Sequence, residues 1–247
     1  MMKHVFMMLA LAFFMVTVSA GEIRQWTLNN GQTIEAEFVS LIGGKVALKT
    51  LRGKLLKIPQ NGIAPEDLSY VELLNPPRLD ISFSKMTRQH VYPPLTQWFE
   101  ANNVPPRSLY FNFSTQIKQL SPNPYHHELI AEIFVIAVEV GGDKNILIDY
   151  RKEPFHLSGE NGRAVSIAGA QDRMMTTYLA PSGRWRGEKY EGYMVVITDP
   201  RGEIIAHATT RDWWFEKLEN LRRVPVGKTF DEEGKRCWPS RPKESDY

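Results

Sequence analysis

The sequence is poor in cysteine and carries almost no excess of either charge. Its single cysteine, Cys237, excludes an internal disulfide framework and a cysteine-rich zinc site. Thirty Lys and Arg residues against 28 Asp and Glu give a formal net charge of +2, and hydrophobic residues make up 43% of the 247 residues. The near-neutral balance offers no electrostatic footprint for nucleic acid, while the composition is that of a globular chain. We therefore expect folded domains and no nucleic-acid partner.

The common sequence motifs of catalysis are absent as well. Neither Gly-x-Ser-x-Gly, nor a P-loop, nor Gly-x-Gly-x-x-Gly occurs. The one histidine cluster, His126-His127-Glu128, lies at the start of a predicted strand, where adjacent side chains point to opposite faces and do not share a metal. We expect no catalytic residue, no metal and no cofactor. A hydrolase whose site is assembled from distant residues stays open.

An apolar segment opens the chain. Lys3 and His4 precede an apolar run from Val5 to Val18, which is shorter than the roughly 20 residues that span a bilayer. Small residues then end the segment at Ala20, as in a signal-peptide cleavage site. The pattern predicts a signal peptide over 1–20, cleaved between Ala20 and Gly21, and a protein exported to the periplasm or outside a bacterial cell. After cleavage no membrane span is expected; a retained N-terminal anchor is the alternative.

Residues 22–75 alternate between apolar and polar positions in short runs. Trp26 and Leu28 share one face, which predicts that Trp26 lies in a core. Turn signals follow at Asn30-Gly31, at Gly43-Gly44 and at Gly53. Four short strands at this spacing predict a small closed or nearly closed barrel. Pro65, followed by two acidic residues, predicts the start of a helix.

The same residues resemble SLA1 homology domain 1. The resemblance rests on Arg24-x-Trp26, Gly31, Ile34-Glu35-Ala36-Glu37-Phe38-Val39, Gly44-Lys45-Val46-x-Leu48, Gly53-Lys54, Ile58-Pro59 and Glu66-Asp67-x-x-Tyr70-Val71. It implies an SH3-like fold and protein-binding adaptor activity, which in eukaryotic members includes binding of cytoskeletal proteins, ubiquitin and identical copies. Similar copies occur in secreted proteins of planctomycete and verrucomicrobial bacteria. For an exported chain the resemblance therefore implies protein binding without endocytosis.

The exposed positions of these predicted strands are mostly basic. One interpretation is a basic face that captures an acidic peptide end. The other is a solvated face whose lysines prevent pairing at the strand edges. Both interpretations concern Lys45, Lys49, Arg52, Lys54 and Lys57, opposed by Glu35 and Glu37.

The rest of the chain predicts a second β domain. Pro76-Pro77 indicates a linker over 76–79, and residues 80–230 are predicted to form an antiparallel β-sandwich-like domain with short helices, so that the whole chain is mainly β. Its continuous apolar run over 128–140 indicates a central strand covered on both faces. Short helices are expected over Leu95–Glu100 and from Asp212 to about Leu221, and a flexible tail over 231–247.

One polar, glycine-rich segment of this domain, residues 181–193, concentrates the residue types of binding hot spots. We interpret it as a loop that forms a candidate ligand surface, so that truncating Trp185 would leave stability nearly unchanged. Alternatively, its aromatic side chains fold back onto the sandwich. The candidate residues are Arg184, Trp185, Arg186, Tyr190 and Tyr193.

Together these patterns predict a non-enzymatic, exported protein-binding or scaffold protein. The expected partner is a protein or peptide, with polysaccharide as a second option. The alternative function is an exported hydrolase or carbohydrate-binding protein with its site in the C-terminal domain. Cys237 follows Lys235 and Arg236, which would lower its pKa, although an unreactive thiol on a polar tail is the expected role.

Overall fold

The computed structural model describes residues 22–92 and 104–240, so the predicted signal peptide and the predicted helix at Leu95–Glu100 lie outside the described residues. The chain divides between Val71 and Glu72 into two compact units. Both are mainly β, with a four-stranded antiparallel sheet in the first unit and a larger antiparallel sheet in the second. The predicted fold class is confirmed.

The first unit is a four-stranded sheet followed by a helix. The strands pair antiparallel in chain order, and the helix follows a 3-10 turn at Gln60–Gly62. Gly43 and Gly44, which join the second and third strands, both have positive φ (58° and 72°), the backbone that a tight hairpin requires. The elements are β1 (Ile23–Thr27), β2 (Thr33–Ile42), β3 (Lys45–Thr50), β4 (Leu55–Pro59) and α1 (Pro65–Leu74), of which the first seven residues belong to the first unit.

The chain after β4 pairs with the end of β1 and so joins the two edges of this sheet. Leu28 and Ile63 form an antiparallel bridge, and the Ala64 amide donates to the Thr27 carbonyl at 2.9 Å. This closure matches the predicted barrel. Trp26 is fully buried inside it, and its indole N–H donates to the Ala36 carbonyl oxygen at 2.8 Å, so its polar atom is satisfied within the core.

The second unit is one antiparallel sheet in the order β13-β8-β7-β11-β10-β6-β5, with β12 beside β11 and β9 beside β6. Two short helices follow β12. The elements are β5 (Leu79–Gln89), β6 (Arg107–Gln119), β7 (Leu129–Val140), β8 (Asn145–Phe155), β9 (Ala164–Ala168), β10 (Arg173–Leu179), β11 (Trp185–Thr198), β12 (Ile204–Thr209), α2 (Asp212–Glu216), α3 (Leu218–Leu221) and β13 (Thr229–Phe230).

Two apolar layers lie on the two faces of β7. We call the first the inner layer: Ile133, Val135 and Ala137 pack there against residues of β6, β8 and β11, and partly buried residues of β5 cover it. We call the second the helix layer: Phe134 and Ile136 pack there against α2 and α3. Because β7 is buried on both faces, its sequence lacks polar alternation, as predicted for a central strand.

The helix layer depends on Trp214, which is fully buried beneath α2. The predicted helix from Asp212 to Leu221 is divided into two at Lys217, whose φ and ψ of −103° and 17° depart from helical values. The aromatic residues at the start of α2 pack it against the sheet.

Residues 231–240, the first part of the predicted flexible tail, are held against the second unit. The Cys237 amide donates to the Thr229 carbonyl at 3.0 Å, and the Ser240 amide donates to the Glu139 carboxylate at 3.0 Å. These bonds anchor the segment although its sequence is polar. Residues 241–247 lie outside the described residues.

Candidate ligand surfaces

Four of the five candidate residues lie on a strand and not on a loop. Trp185–Thr198 forms a single strand, β11, and Arg184 ends the turn before it, where the Ala180 amide donates to the Arg184 carbonyl at 2.8 Å. The predicted loop is therefore wrong. The first half of this strand is only half-buried, so it accommodates polar residues and glycines. Its composition therefore resembles that of a loop. Ligand binding by these residues stays a prediction.

Tyr190 and Tyr193 both face the inner layer because of a β-bulge between them. Tyr190 pairs with Ala137 and Tyr193 with Val135, so one extra residue, Glu191, shifts the alternation of the strand. The Tyr193 ring stacks on Phe83 with centroids 4.3 Å apart and planes 8° apart. The two tyrosines thus pack against the inner layer, as in the alternative that the aromatic side chains fold back onto the domain.

Burial also changes the acidity of Tyr190. Desolvation, aided by the nearby Tyr193, raises the pKa of the Tyr190 phenol from 10.0 to about 12. Lys85 lies over the same ring, with its Nζ 4.2 Å from the ring centroid. Tyr190 is therefore neutral at physiological pH and acts as an aromatic support for a lysine.

Trp185 lies at the other end of β11, opposite Leu179 of β10. It is half-buried, and the Arg107 guanidinium carbon lies 4.8 Å from the centroid of its ring. Gly187, with its positive φ, lies between this tryptophan and Tyr190, and the bulge follows before Tyr193. Trp185, Tyr190 and Tyr193 therefore do not form one continuous aromatic surface.

Arg186 lines a cavity of about 650 Å³. Its Nη1 donates to the Gly141 carbonyl oxygen at 2.6 Å, and Tyr178, 46% exposed, contributes an aromatic wall. We call this cavity the Arg186 pocket; its described lining is Glu139–Gly142, Tyr178, Ala180–Ser182, Arg186, Gly187 and Ser240. Its volume is in the range of small-molecule sites.

The Arg186 pocket requires glycine at position 187. Gly187 has φ of +115°, and a Cβ there would lie 2.0 Å from the Thr176 carbonyl oxygen. No other residue fits without movement of the backbone. From the sequence, this glycine indicated only a loop. The need for glycine comes from Thr176 on the adjacent strand, a contact that the sequence does not show.

The first unit presents the basic residues predicted from its sequence. Alternation places Lys45, Lys49 and Lys57 on the outer surface of the sheet, where all three are exposed. Ile42 (74% exposed) and Leu55 (49% exposed) lie across from Lys45 and Lys49 in neighbouring strands. We call these five residues the lysine face. A strand face that only contacts solvent has no need of exposed aliphatic side chains, so these residues favour a role in binding.

Several residues that carried the family resemblance are structural. The Arg24 guanidinium pairs with the buried Asp67 carboxylate and lies 4.0 Å from the Tyr70 ring centroid. Asp67 also accepts a hydrogen bond from the Thr27 amide at 2.6 Å. The motif residues thus attach β1 to α1.

The remaining candidates from the sequence are the histidine cluster and Cys237. Across residues 22–92 and 104–240, no three His, Cys, Asp or Glu side chains are grouped to hold a metal ion. Burial raises the pKa of the Cys237 thiol, opposite to the effect expected from its basic neighbours in sequence. The helices of the described part of the chain are too short or too polar to cross a bilayer.

Comparison with known proteins finds a family resemblance in the N-terminal part of the chain. A family model of SLA1 homology domain 1 matches residues 18–78, which confirms the predicted resemblance and supports a protein-binding module. A crystal structure from Akkermansia muciniphila aligns with 56% of this chain and 77% of its own chain, at 15% identity and a TM-score of 0.23. That superposition is too weak to carry an argument. No curated protein matches the sequence.

Proposed function

We propose that this chain is a non-enzymatic, exported scaffold protein that binds a protein or peptide through the lysine face of its SLA1 homology domain 1 module. The family match supports protein binding, and the apolar run followed by Ala20 supports export to a bacterial envelope. The observation that carries the choice of surface is the exposure of Ile42 and Leu55 among three lysines. Exposed aliphatic residues next to charged ones are a feature of protein interaction sites.

The experiment compares the full chain with a variant carrying Ile42→Ser and Leu55→Ser. Both side chains are exposed, so the fold is expected to remain intact. Cross-linking to envelope proteins, followed by mass spectrometry, should identify partners that the double variant no longer captures. Val226→Ser changes a similarly exposed aliphatic residue in the second unit and should retain them. Equal capture by all three chains would exclude the lysine face.

A second candidate function is carbohydrate binding at the Arg186 pocket. It is favoured by the half-exposed Tyr178 ring beside the hydrogen-bonding groups of Glu139 and Arg186. Glu139 is the one carboxylate in the described lining, so this pocket favours binding over a two-carboxylate hydrolysis. Binding of soluble envelope glycans that is lost in Tyr178→Ala and retained in Tyr178→Phe would support it; equal binding by all three chains would exclude it.

A further inference from the structure

The strand β5 has an unpaired edge on the side away from β6. The larger sheet ends at this strand, which pairs only with β6 among residues 22–92 and 104–240. Its second half, Ser84–Gln89, is exposed at every position, and Met86 is 66% exposed. We call the side of Ser84–Gln89 that faces away from β6 the open edge. These residues belong neither to the lysine face nor to the Arg186 pocket.

Two other sheet edges are closed or covered. In the first unit, the bridge between Leu28 and Ile63 joins the outer strands. At the far end of the larger sheet, β13 has only two residues, and the Cys237 amide donates to its Thr229 carbonyl at 3.0 Å. By contrast, β5 runs for 11 residues in register with β6, without a bulge and without proline. Bulges, prolines and covering segments usually protect an edge from another strand, so the open edge keeps the groups that a further strand needs.

The hydrogen bonds between β5 and β6 identify the backbone groups that point outward. The His90 amide, just after β5, donates to the Ser108 carbonyl at 3.0 Å. Bonded residues alternate along an antiparallel strand, so β5 bonds to β6 through its even-numbered residues. The N–H and C=O groups of Lys85, Thr87 and Gln89 therefore point away from β6, along the open edge. An extended backbone offers donors and acceptors at the matching spacing.

The two basic side chains of this segment do not protect the edge. Lys85 extends over the inner layer, where its Nζ lies 4.2 Å from the centroid of the Tyr190 ring. Arg88 lies on the opposite face of the sheet, with its guanidinium carbon 4.5 Å from the Tyr110 ring centroid, and it pairs with Asp172 at 3.5 Å. Charged side chains protect an edge when they repel an approaching strand. Here both lie over their own sheet, and the Asp172 carboxylate offsets one of the two charges.

The open edge is complementary to a second copy of itself. In an antiparallel pair centred on Met86, Lys85 lies opposite Thr87 of the second copy, and the outward backbone groups of these two residues meet. Arg88 then lies opposite Ser84, so no two like charges are directly opposed. The two Met86 side chains meet at the centre, where each covers the most exposed apolar residue of the other strand. A pair centred on Lys85 would instead oppose two lysines.

We propose that two copies of this chain pair through their open edges, so that their larger sheets form one continuous antiparallel sheet with its two-fold axis at Met86. Such an interface uses the same surface on both copies, as in most soluble homodimers. A dimer presents two copies of every other binding surface, which increases the avidity for a partner with repeated sites. The open edge lies outside residues 18–78, which match the family model, so this proposal and the lysine face succeed or fail separately.

Sedimentation of the full chain over a range of concentrations tests the pairing. One strand pair buries less than the roughly 1,600 Å² of a standard interface, so we expect a reversible dimer above about 10 µM. Thr87→Pro removes an outward N–H and places a ring on the open edge, while every bond to β6 remains, so association should weaken about tenfold or more. Thr87→Ala keeps the N–H and should change association less than about twofold. A monomer at every concentration, or equal association of Thr87→Pro and the unchanged chain, overturns the proposal.

A second pair of variants tests the register and does not depend on a proline. Met86→Glu places two carboxylates directly opposite each other at the two-fold axis, which should weaken the dimer about three- to tenfold. Met174→Glu adds the same charge at a methionine of β10 that is 45% exposed, and it should leave association within about twofold of the unchanged chain. Equal weakening by the two variants would indicate a general charge effect and overturn the proposal. Tighter association of Met86→Glu would place this residue opposite Arg88 and overturn the proposed register.

Discussion

The carboxylate of Asp67 in the first turn of α1 pairs with the guanidinium of Arg24 on β1. The carboxylate is buried, and it also holds the Thr27 amide at 2.6 Å. A single side chain therefore fixes the position of the helix against the first strand. Both ends of the ion pair belong to the sequence pattern that resembles SLA1 homology domain 1, so part of that pattern reflects folding rather than ligand binding.

Asp67→Asn should lower the free energy of unfolding of the first unit by about 1–3 kcal/mol, since it leaves Arg24 without its charged partner. Asp172→Asn is the control, because its pair with Arg88 is solvent-exposed on both sides, and its cost should stay below about 0.5 kcal/mol. Hydrogen exchange in urea measures both losses, on β1 and β2 amides for Asp67→Asn and on β6 and β10 amides for Asp172→Asn. Similar losses in the two variants would contradict the structural role of Asp67.

Trp185→Ala should cost about 1–2 kcal/mol. The sequence predicted almost no cost for an exposed loop residue, but the structure places Trp185 on a strand, half-buried under Arg107. Partial burial and a cation–π contact account for the larger value. Trp214→Ala, at a fully buried site, should cost about 3–5 kcal/mol. Chemical denaturation of both variants checks this order; equal losses would place Trp185 in the core.

Gly187→Ala should destabilise the second unit more than Gly183→Ala. Both glycines have positive φ, but a Cβ at Gly183 meets no atom within 4 Å, whereas at Gly187 it would lie 2.0 Å from the Thr176 carbonyl oxygen. The first change should cost about 1 kcal/mol from backbone strain alone. The second should cost at least about 2 kcal/mol more, because β10 must move. Differential scanning calorimetry would reveal the contrast, and equal melting temperatures would refute it.

Stability should decrease between pH 10 and 12, partly through Tyr190. The folded-state pKa of its phenol is raised from 10.0 to about 12, so the neutral form is favoured by folding. This contribution is complete below the unfolded pKa and is lost as the pH rises through the folded pKa. Tyr190→Phe should flatten this decrease. In ultraviolet titration of tyrosinate, the variant should lack one late phenol, while the similarly buried Tyr125 still titrates near 12. An unchanged titration curve would contradict the assignment.

The first unit could be predicted well because local chemistry specifies it. Turn glycines bound each strand, and Trp26 and Val46 alternate with polar neighbours, so strand limits and inward faces follow from spacing alone. The central strand β7 was equally clear. Its β-branched residues exclude a helix, and its lack of alternation indicates burial on both faces.

The first half of β11 could not be predicted for two reasons. Its polar residues pair with neighbours that lie far apart in sequence, as Arg173 does with Glu188 across two strands. The bulge at Glu191 also interrupts the period of two, so alternation before and after it does not match. The cavity beside Trp213 is lined by Asp143, Glu191 and Glu232, and no spacing in the sequence indicates that these residues meet.

The bulge also affects which parts of β11 can accept substitutions without loss of strand register. In a regular ladder, a slip of one residue moves every following side chain to the opposite face. The unpaired residue at position 191 absorbs such a slip locally, so movement of the hairpin that leads into Trp185 need not reach Val195 or Ile197. The half of the strand that begins at Trp185 can therefore diverge in sequence while the half that completes the inner layer keeps its register.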